Sequence, residues 1–165
     1  MTTKRNVKGI ILQPGYPNCL FDGDLDFKDE HAFHGRLSDR WGLSEVKGVM
    51  SENELHFRKK YDHRNSLTLY SFRKEGDLWI GSYIGETTGI GGAQCEIYDG
   101  TPKIDWDKKV LSERIDRKLV HECAQWLIQS MINREFLRSS QDPTTGESMV
   151  ELTEKGRDFA NPERN

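Results

Sequence analysis

The sequence lacks most of the features that mark secreted, membrane-embedded and metal-stabilised proteins. Its three cysteines, Cys19, Cys95 and Cys123, are odd in number and widely separated, which argues against a disulfide framework and against a structural zinc. The apolar run Gly9–Leu12 is too short for a signal peptide, and no segment approaches the roughly 20 apolar residues of a membrane span. We therefore expect an intracellular protein, cytoplasmic by default, with no membrane partner.

The sequence also has no excess of basic residues. Its net charge is −3 and its pI is about 6.0, whereas nucleic-acid binding normally needs a basic face. Nucleic acid is therefore not an expected partner.

Metal-binding motifs are missing as well. His31 and His34 are three residues apart on a predicted strand, so their side chains point to opposite faces. The triplet His121-Glu122-Cys123 lacks the second histidine of the H-E-x-x-H motif. We predict neither a metal site nor a cofactor.

Sequence signals for catalysis are weak. No serine lies in a G-x-S-x-G motif, and no cysteine has neighbours that would activate it. The segment Gly89-Ile90-Gly91-Gly92 is not followed by the Lys-Ser/Thr of a phosphate loop and leads into a strand. It is interpreted as a turn with a bulge.

What the sequence does contain is charge and aromatic side chains. Hydrophobic residues make up 35% and charged residues 31%, with four Trp, five Tyr and seven Phe. Disordered chains of similar charge lack such aromatics. A folded protein with a thin, aromatic-rich core is expected, which favours a small sheet or barrel.

Short β-prone runs separated by turn residues dominate the first hundred positions, and they predict an antiparallel β-meander of about seven strands. Parallel pairing would need longer crossovers than the sequence leaves room for. A meander of this length is expected to close into a barrel or half-barrel, and an eighth strand would come from Ile10–Leu12 or from another chain. The predicted strands are Cys19–Phe27, His31–Ser38, Gly42–Met50, Glu54–Asp62, Ser66–Lys74, Leu78–Gly85 and Gly91–Tyr98.

The pattern changes after Asp99-Gly100. Apolar residues recur at helical spacing over 108–138. They predict either one helix over the whole range or one helix of about six or seven turns within it, with a break near Ser130. Residues 136–139 are either the exit of this helix or the first strand of a hairpin whose second strand is 148–152, and a short helix over 154–160 follows. The predicted fold class is therefore α+β, with a β-meander or barrel domain at 1–100 and a helix-plus-hairpin appendage at 101–165. That appendage is expected to pack on the barrel or on a partner.

The most informative strand is Leu55–Tyr61. Alternation places Leu55, Phe57, Lys59 and Tyr61 on one face, so Lys59 points where a hydrophobic residue is expected. A buried ammonium needs a partner or a wet cavity. Either Lys59 meets an anionic or carbonyl group of a ligand, or it pairs with an internal acid such as Glu45 or Glu96, or reaches the rim.

Aromatic residues on other strands extend this face. Phe33, Tyr70, Phe72, Trp79 and Tyr83 could line a ligand cavity, and they would equally form a solid barrel core. The predicted ligand-binding residues are Phe33, Phe57, Lys59, Tyr61, Tyr70, Trp79 and Tyr83, and no catalytic residue is assigned. A separate local prediction is that Asp39 accepts hydrogen bonds from backbone amides of the turn before Gly42.

Serial short hairpins, strand glycines and the aromatic face make residues 19–98 similar to the calycin barrels, the lipocalin and avidin group. The lipocalin Gly-x-Trp signature is absent, because Phe21-Asp22-Gly23-Asp24-Leu25 has the glycine without the tryptophan. The match is architectural and transfers no binding residues. It implies that the barrel binds a small, partly apolar ligand without chemistry.

Residues 119–159 resemble the recognition helix and wing of MarR-type winged-helix proteins. A strand, a turn with Asp142-Pro143, a second strand and Leu152-Thr153-x-Lys155-Gly156 occur in that order. The helix 119–134 would take the recognition-helix position, but a β-meander stands where the preceding helices should be. The resemblance implies at most a wing-like hairpin that packs on the barrel or on a partner.

Three functional hypotheses follow. The first is a non-enzymatic protein that holds a small, partly apolar or anionic ligand in a lipocalin-like barrel around Lys59. The alternative is a regulatory or protein-interaction module that uses the C-terminal segment for self-association or for another protein, without a small ligand. The third is an enzyme in which Lys59 works with Tyr61 or Glu45 as acid and base.

Overall fold

In the computed structural model, the fold is the α+β arrangement that the sequence predicts: a closed antiparallel barrel followed by helices and a hairpin. The structure describes residues 2–86 and 88–160, except for the side chains at 130, 148–150 and 158–160. The barrel strands are β1 (Thr3–Leu12), β2 (Cys19–Phe27), β3 (Ala32–Asp39), β4 (Gly42–Met50), β5 (Glu54–Tyr61), β6 (Leu67–Glu75), β7 (Leu78–Gly85) and β8 (Gly89–Tyr98). They are followed by α1 (Trp106–Ser112), α2 (Arg117–Asn133), β9 (Leu137–Gln141), β10 (Ser148–Leu152) and α3 (Glu154–Ala160).

The barrel closes through β1, which pairs with β2 on one side and with β8 on the other. The strand that completes the barrel therefore comes from this chain, and it is much longer than the segment Ile10–Leu12 that the sequence indicated. Lys4, Asn6 and Lys8 in the first half of β1 are polar. These residues lie on the outer face of a strand, where charged side chains are solvated.

Aromatic and aliphatic side chains fill one half of the barrel interior. This end lies beside the connections β2–β3, β4–β5 and β6–β7, and its rings make direct contacts: the Phe27 and Phe33 centroids are 5.2 Å apart and those of Phe57 and Phe72 are 5.6 Å apart. Gly48 faces Phe57, and a Cβ at Gly48 would lie 2.6 Å from the Phe57 Cβ. The glycine thus permits the close approach of β4 and β5 at this position.

Outside the barrel, α1 covers a buried carboxylate. Glu96 is 2% exposed and accepts hydrogen bonds from the backbone N–H groups of Lys103 and Ile104 and from the Trp106 indole N–H. Trp106 packs with Ile10 and Leu12 on the outer face of β1. These contacts fix the segment after β8 against the barrel wall.

The prediction of one helix over 108–138, continuous or broken near Ser130, is wrong in its position and its break. Residues 113–116 separate α1 from α2, and α2 ends at Asn133. Glu113 has an extended backbone, and Asp116 accepts a hydrogen bond from the Leu119 N–H at 3.1 Å, as a helix N-cap does. The apolar spacing continues across both helices, so periodicity alone concealed the Asp116 cap.

The chain divides into two compact units, Met1–Ala124 and Gln125–Asn165. In the second unit β9 and β10 form the predicted hairpin, and the Thr153 hydroxyl accepts a hydrogen bond from the Gly156 N–H at the start of α3. The division into a barrel domain at 1–100 and an appendage at 101–165 stays a prediction, because compactness does not measure whether a segment folds independently.

No helix in the described ranges is both long enough and apolar enough to cross a membrane.

Candidate functional site

A buried ion pair with a tyrosine hydroxyl lies at the other end of the barrel interior. The Lys59 ammonium is 3.1 Å from Asp39 Oδ2 and donates a hydrogen bond to the Tyr61 hydroxyl at 2.9 Å. Tyr61 in turn donates to Asp39 Oδ2 at 2.6 Å. The side chains of Lys59 and Asp39 are 3% and 0% exposed, so solvent contributes little to the charge balance of this group.

The alternation of β5 places Lys59 in the interior, as the sequence predicted. The predicted internal acids were wrong: Glu45 is exposed on the outer face, where it pairs in register with Lys60, and Glu96 binds the segment before α1. Asp39 takes their place at the end of β3. Its second oxygen, Oδ1, accepts a hydrogen bond from the Trp41 N–H at 2.9 Å, which confirms the predicted turn contact.

Charges and hydroxyls around Lys59 keep it protonated at neutral pH. Burial, the largest influence, lowers the pKa of Lys59, but Tyr70, Tyr61 and Asp39 together raise it further, so the net pKa lies above the ordinary lysine value. Burial raises the pKa of Tyr61 above its ordinary value, although Lys59 acts in the opposite direction. The group therefore consists of an ammonium, a carboxylate and a neutral phenol.

A cavity of about 430 Å³ lies at this end of the barrel and has Lys59 and Tyr61 in its wall. The connections β1–β2, β3–β4, β5–β6 and β7–β8 surround it. The lining residues are Ile11, Gln13, Pro14, Tyr16, Trp41, Lys59, Tyr61, Arg64, Thr68, Tyr70, Tyr83 and Thr88.

The structure divides the seven predicted site residues into two groups. Lys59, Tyr61, Tyr70 and Tyr83 line the cavity. Phe33, Phe57 and Trp79 are 2%, 7% and 3% exposed and belong to the packed core. The barrel interior is thus solid at one end and hollow at the other. The sequence allowed either a ligand cavity or a solid core, and the structure contains both.

Tyr70 joins the two halves. Its ring stacks on Phe57 at 4.7 Å, and it is 5.7 Å from Tyr83. The Lys59 ammonium lies 5.1 Å from the Tyr70 ring centroid. Burial raises the pKa of Tyr70, so its hydroxyl is neutral beside the ammonium.

Sequence reasoning missed the lining residues that come from connections between strands. Gln13, Pro14 and Tyr16 lie in the β1–β2 connection, and Arg64 lies between β5 and β6. The available signal was their position: once the strands close into a barrel, alternate connections meet at one end. The turn residues alone did not indicate which end of the barrel contains the cavity.

Two hydroxyl groups at the cavity are buried without a partner. Within the described ranges, neither Tyr83 OH nor Thr88 Oγ1 has a hydrogen-bond partner. Tyr83 is 2% exposed and burial raises its pKa, so its hydroxyl group is neutral. An unsatisfied buried hydroxyl costs free energy that a bound molecule could recover.

A second, wider groove of about 930 Å³ lies beyond the β1–β2 connection and includes parts of α1 and α2. Leu111 and Ile90 in its lining are 81% and 47% exposed. It contains none of the predicted site residues, and none of its described lining residues has a buried polar atom without a partner. Despite its larger volume, it offers less specific recognition than the barrel cavity.

The described residues contain no group of three or more His, Cys, Asp or Glu side chains placed to hold a metal ion. The side chains that line the cavity can form hydrogen bonds, stack on a ligand and recognise charge.

No family model, no curated protein and no solved structure matches the chain. The closed antiparallel barrel is compatible with a calycin-like architecture through its topology. In the segment that resembles MarR-type proteins, the structure has a helix, a hairpin and a short helix in the expected order. No family model matches this segment.

Proposed function

We propose that this protein binds a small, partly apolar ligand in the cavity at the hollow end of the barrel and does not transform it chemically. The single observation that carries the proposal is the combination of a 430 Å³ cavity with buried, unpartnered hydroxyls in its wall. Ligand sites are typically concave and aromatic, with a few placed polar groups and volumes of roughly 300–1,000 Å³.

The solid half of the barrel supports binding rather than catalysis. A packed aromatic core beneath the cavity holds the backbone rigid, and a rigid pocket loses less entropy when a ligand binds.

The polar group in the cavity wall is poorly suited to acid–base or nucleophilic chemistry. A lysine that acts as a nucleophile or a general base must lose its proton near neutral pH, whereas the pKa of Lys59 is raised by its neighbours despite its burial. Glu45, the other candidate, is exposed on the outer face. We interpret Lys59 and Asp39 as an ion pair that holds the polar part of the cavity wall in one conformation.

The proposal is tested with the fluorescent probe 1-anilinonaphthalene-8-sulfonate. We expect saturable binding of one probe per chain in the native protein and its loss in Thr68→Trp, because Thr68 is 8% exposed and lines the cavity. Leu43→Trp is the matched control, since Leu43 is 53% exposed and absent from the lining. Circular dichroism confirms folding, and Thr68→Leu replaces Thr68→Trp if the larger variant unfolds.

Probe binding that is unchanged in the folded Thr68 variants would overturn the proposal, because the probe would then bind elsewhere. Absence of saturable binding in the native chain, together with a bare chain mass in native mass spectrometry, would overturn it as well. A co-purified small molecule that disappears in the Thr68 variant would support it.

The alternative of an interaction module rests on the second unit, where β9 and β10 form the hairpin that the winged-helix resemblance requires. The hairpin turn carries Asp142 and Glu147, which disfavours a phosphate backbone as its partner. A protein partner for this unit stays a prediction, tested by the concentration dependence of the sedimentation coefficient.

A further inference from the structure

We infer that the ligand of the barrel cavity is a planar monoanion whose charged group is received by Arg64 and whose acceptor oxygen is received by Tyr83. This inference rests on the proposed function, because it names the chemical class of ligand for the same cavity. Three properties of the cavity wall carry it.

The first property is the cancellation of the Lys59 charge. Asp39 Oδ2 lies 3.1 Å from the ammonium, and Asp39 is covered completely. The ammonium also donates to Tyr61 at 2.9 Å and faces Tyr70. A lysine has three donor hydrogens, and these neighbours surround those of Lys59. Lys59 is therefore not expected to donate a hydrogen bond to an anionic ligand.

The second property is the charge of Arg64. Its side chain lines the cavity, and its guanidinium carbon is 5.8 Å from the Tyr61 ring centroid. No acidic residue occurs among the described lining residues, and no carboxylate of the described chain lies within ion-pair distance of Arg64. The net charge at the cavity wall is therefore one positive charge, and a guanidinium binds carboxylate or sulfonate groups through paired hydrogen bonds.

The third property is the Tyr83 hydroxyl. It is buried in the cavity wall without a partner among the described residues. A neutral phenol in this position donates to a carbonyl, ether or carboxylate oxygen. Tyr70 and Tyr83 lie with ring centroids 5.7 Å apart, and Tyr16 and Trp41 add aromatic surface near the opening. Flat aromatic walls favour a planar ligand.

Calorimetric titration with 1-naphthoate and 1-naphthamide tests the inference, because the two probes share shape and differ in charge. We expect naphthoate to bind about tenfold more tightly at low salt and the preference to shrink as salt screens the exposed guanidinium. Arg64→Gln should remove the preference. Lys60→Gln, on the outer face of β5, should retain it.

Tyr83→Phe should weaken both probes by roughly three- to tenfold, since each presents an acceptor oxygen. Equal affinity of the two probes, or a preference that survives Arg64→Gln, would overturn the inference and leave the proposed function standing. Binding of anilinonaphthalene sulfonate without binding of either naphthalene probe would also overturn the inference alone. Failure of all three probes would overturn the inference and the proposed function together.

Discussion

The ammonium of Lys59 and the carboxylate of Asp39 form an ion pair inside the barrel, 3.1 Å apart and with both side chains shielded from solvent. Their positions are 20 residues apart in sequence, on β5 and at the end of β3. Tyr61 bridges them through hydrogen bonds to both. The pair explains how a lysine occupies an interior position of the sheet.

Removing one charge of this pair should be more damaging than removing both. Asp39→Asn leaves the Lys59 ammonium buried without its counter-ion, so we expect the free energy of unfolding to fall by about 3–5 kcal/mol. Asp39→Asn combined with Lys59→Met should recover part of that loss, because no unpaired charge remains. Urea denaturation of both single variants and the double variant measures the coupling, and additive losses would contradict the buried pair.

The stability of the protein should fall in alkaline solution. The folded state raises the pKa of Lys59, Tyr61 and Tyr83, so it retains protons that the unfolded chain releases above about pH 10. Their stabilising contribution is fully present below that pH and is lost as the pH rises through the folded-state values. Urea denaturation between pH 8 and pH 11 should show this decline.

Tyr83→Phe provides the control for the alkaline decline, because it removes one of the responsible groups and should make the decline shallower. Tyr16→Phe alters a tyrosine that is 60% exposed and should leave it unchanged. A free energy of unfolding that stays constant or increases through pH 11 would refute the assignment.

Gly91 is predicted to be required for the shape of the cavity. A Cβ at Gly91 would lie 2.3 Å from the Tyr83 hydroxyl, so Gly91→Ala should displace the tyrosine ring. We expect a stability loss of about 1–3 kcal/mol from overpacking and weaker binding of 1-anilinonaphthalene-8-sulfonate. Gly92→Ala is the neighbouring control, since its nearest contact would be Val120 at 3.3 Å, and equal probe binding in the two variants would argue against this role.

Phe33 should matter for stability and not for binding. It is 2% exposed, lies 6.3 Å from Phe57 in the solid half and does not line the cavity. Phe33→Leu is expected to cost about 1–3 kcal/mol of unfolding free energy while probe affinity changes less than twofold. Thermal denaturation and probe titration of the same variant check both parts, and a loss of affinity as large as that of Thr68→Trp would contradict the division of the interior.

The barrel strands were predictable because turn residues and alternation act locally. Lys59 could be placed inside from its own strand alone, since Leu55, Phe57 and Tyr61 share its face. Its partner required the register between strands, which places Asp39 at the β3–β4 turn on the interior side and Glu45 outside. The sequence contains no local signal for that register, so the acid was misassigned.

The cavity depended on still longer-range information. Phe57 and Tyr70 are neighbours across β5 and β6 and stack at 4.7 Å, yet only Tyr70 reaches the cavity. Packing of all strands around the barrel decides which aromatic rings meet and which leave space. Similarly, the Asp116 cap that separates α1 from α2 was hidden under a continuous apolar spacing.

Two-dimensional NMR of the labelled chain during titration with 1-naphthoate or 1-naphthamide shows directly whether a ligand binds at the hollow end of the barrel. We expect at least one probe to shift the backbone amide signals of Lys59, Thr68 and Tyr83 at the hollow end, while those of Phe33 and Trp79 at the packed end hardly move. Saturable shifts confined to the packed end or to the outer surface, or no saturable shifts with either probe or with 1-anilinonaphthalene-8-sulfonate, would contradict it.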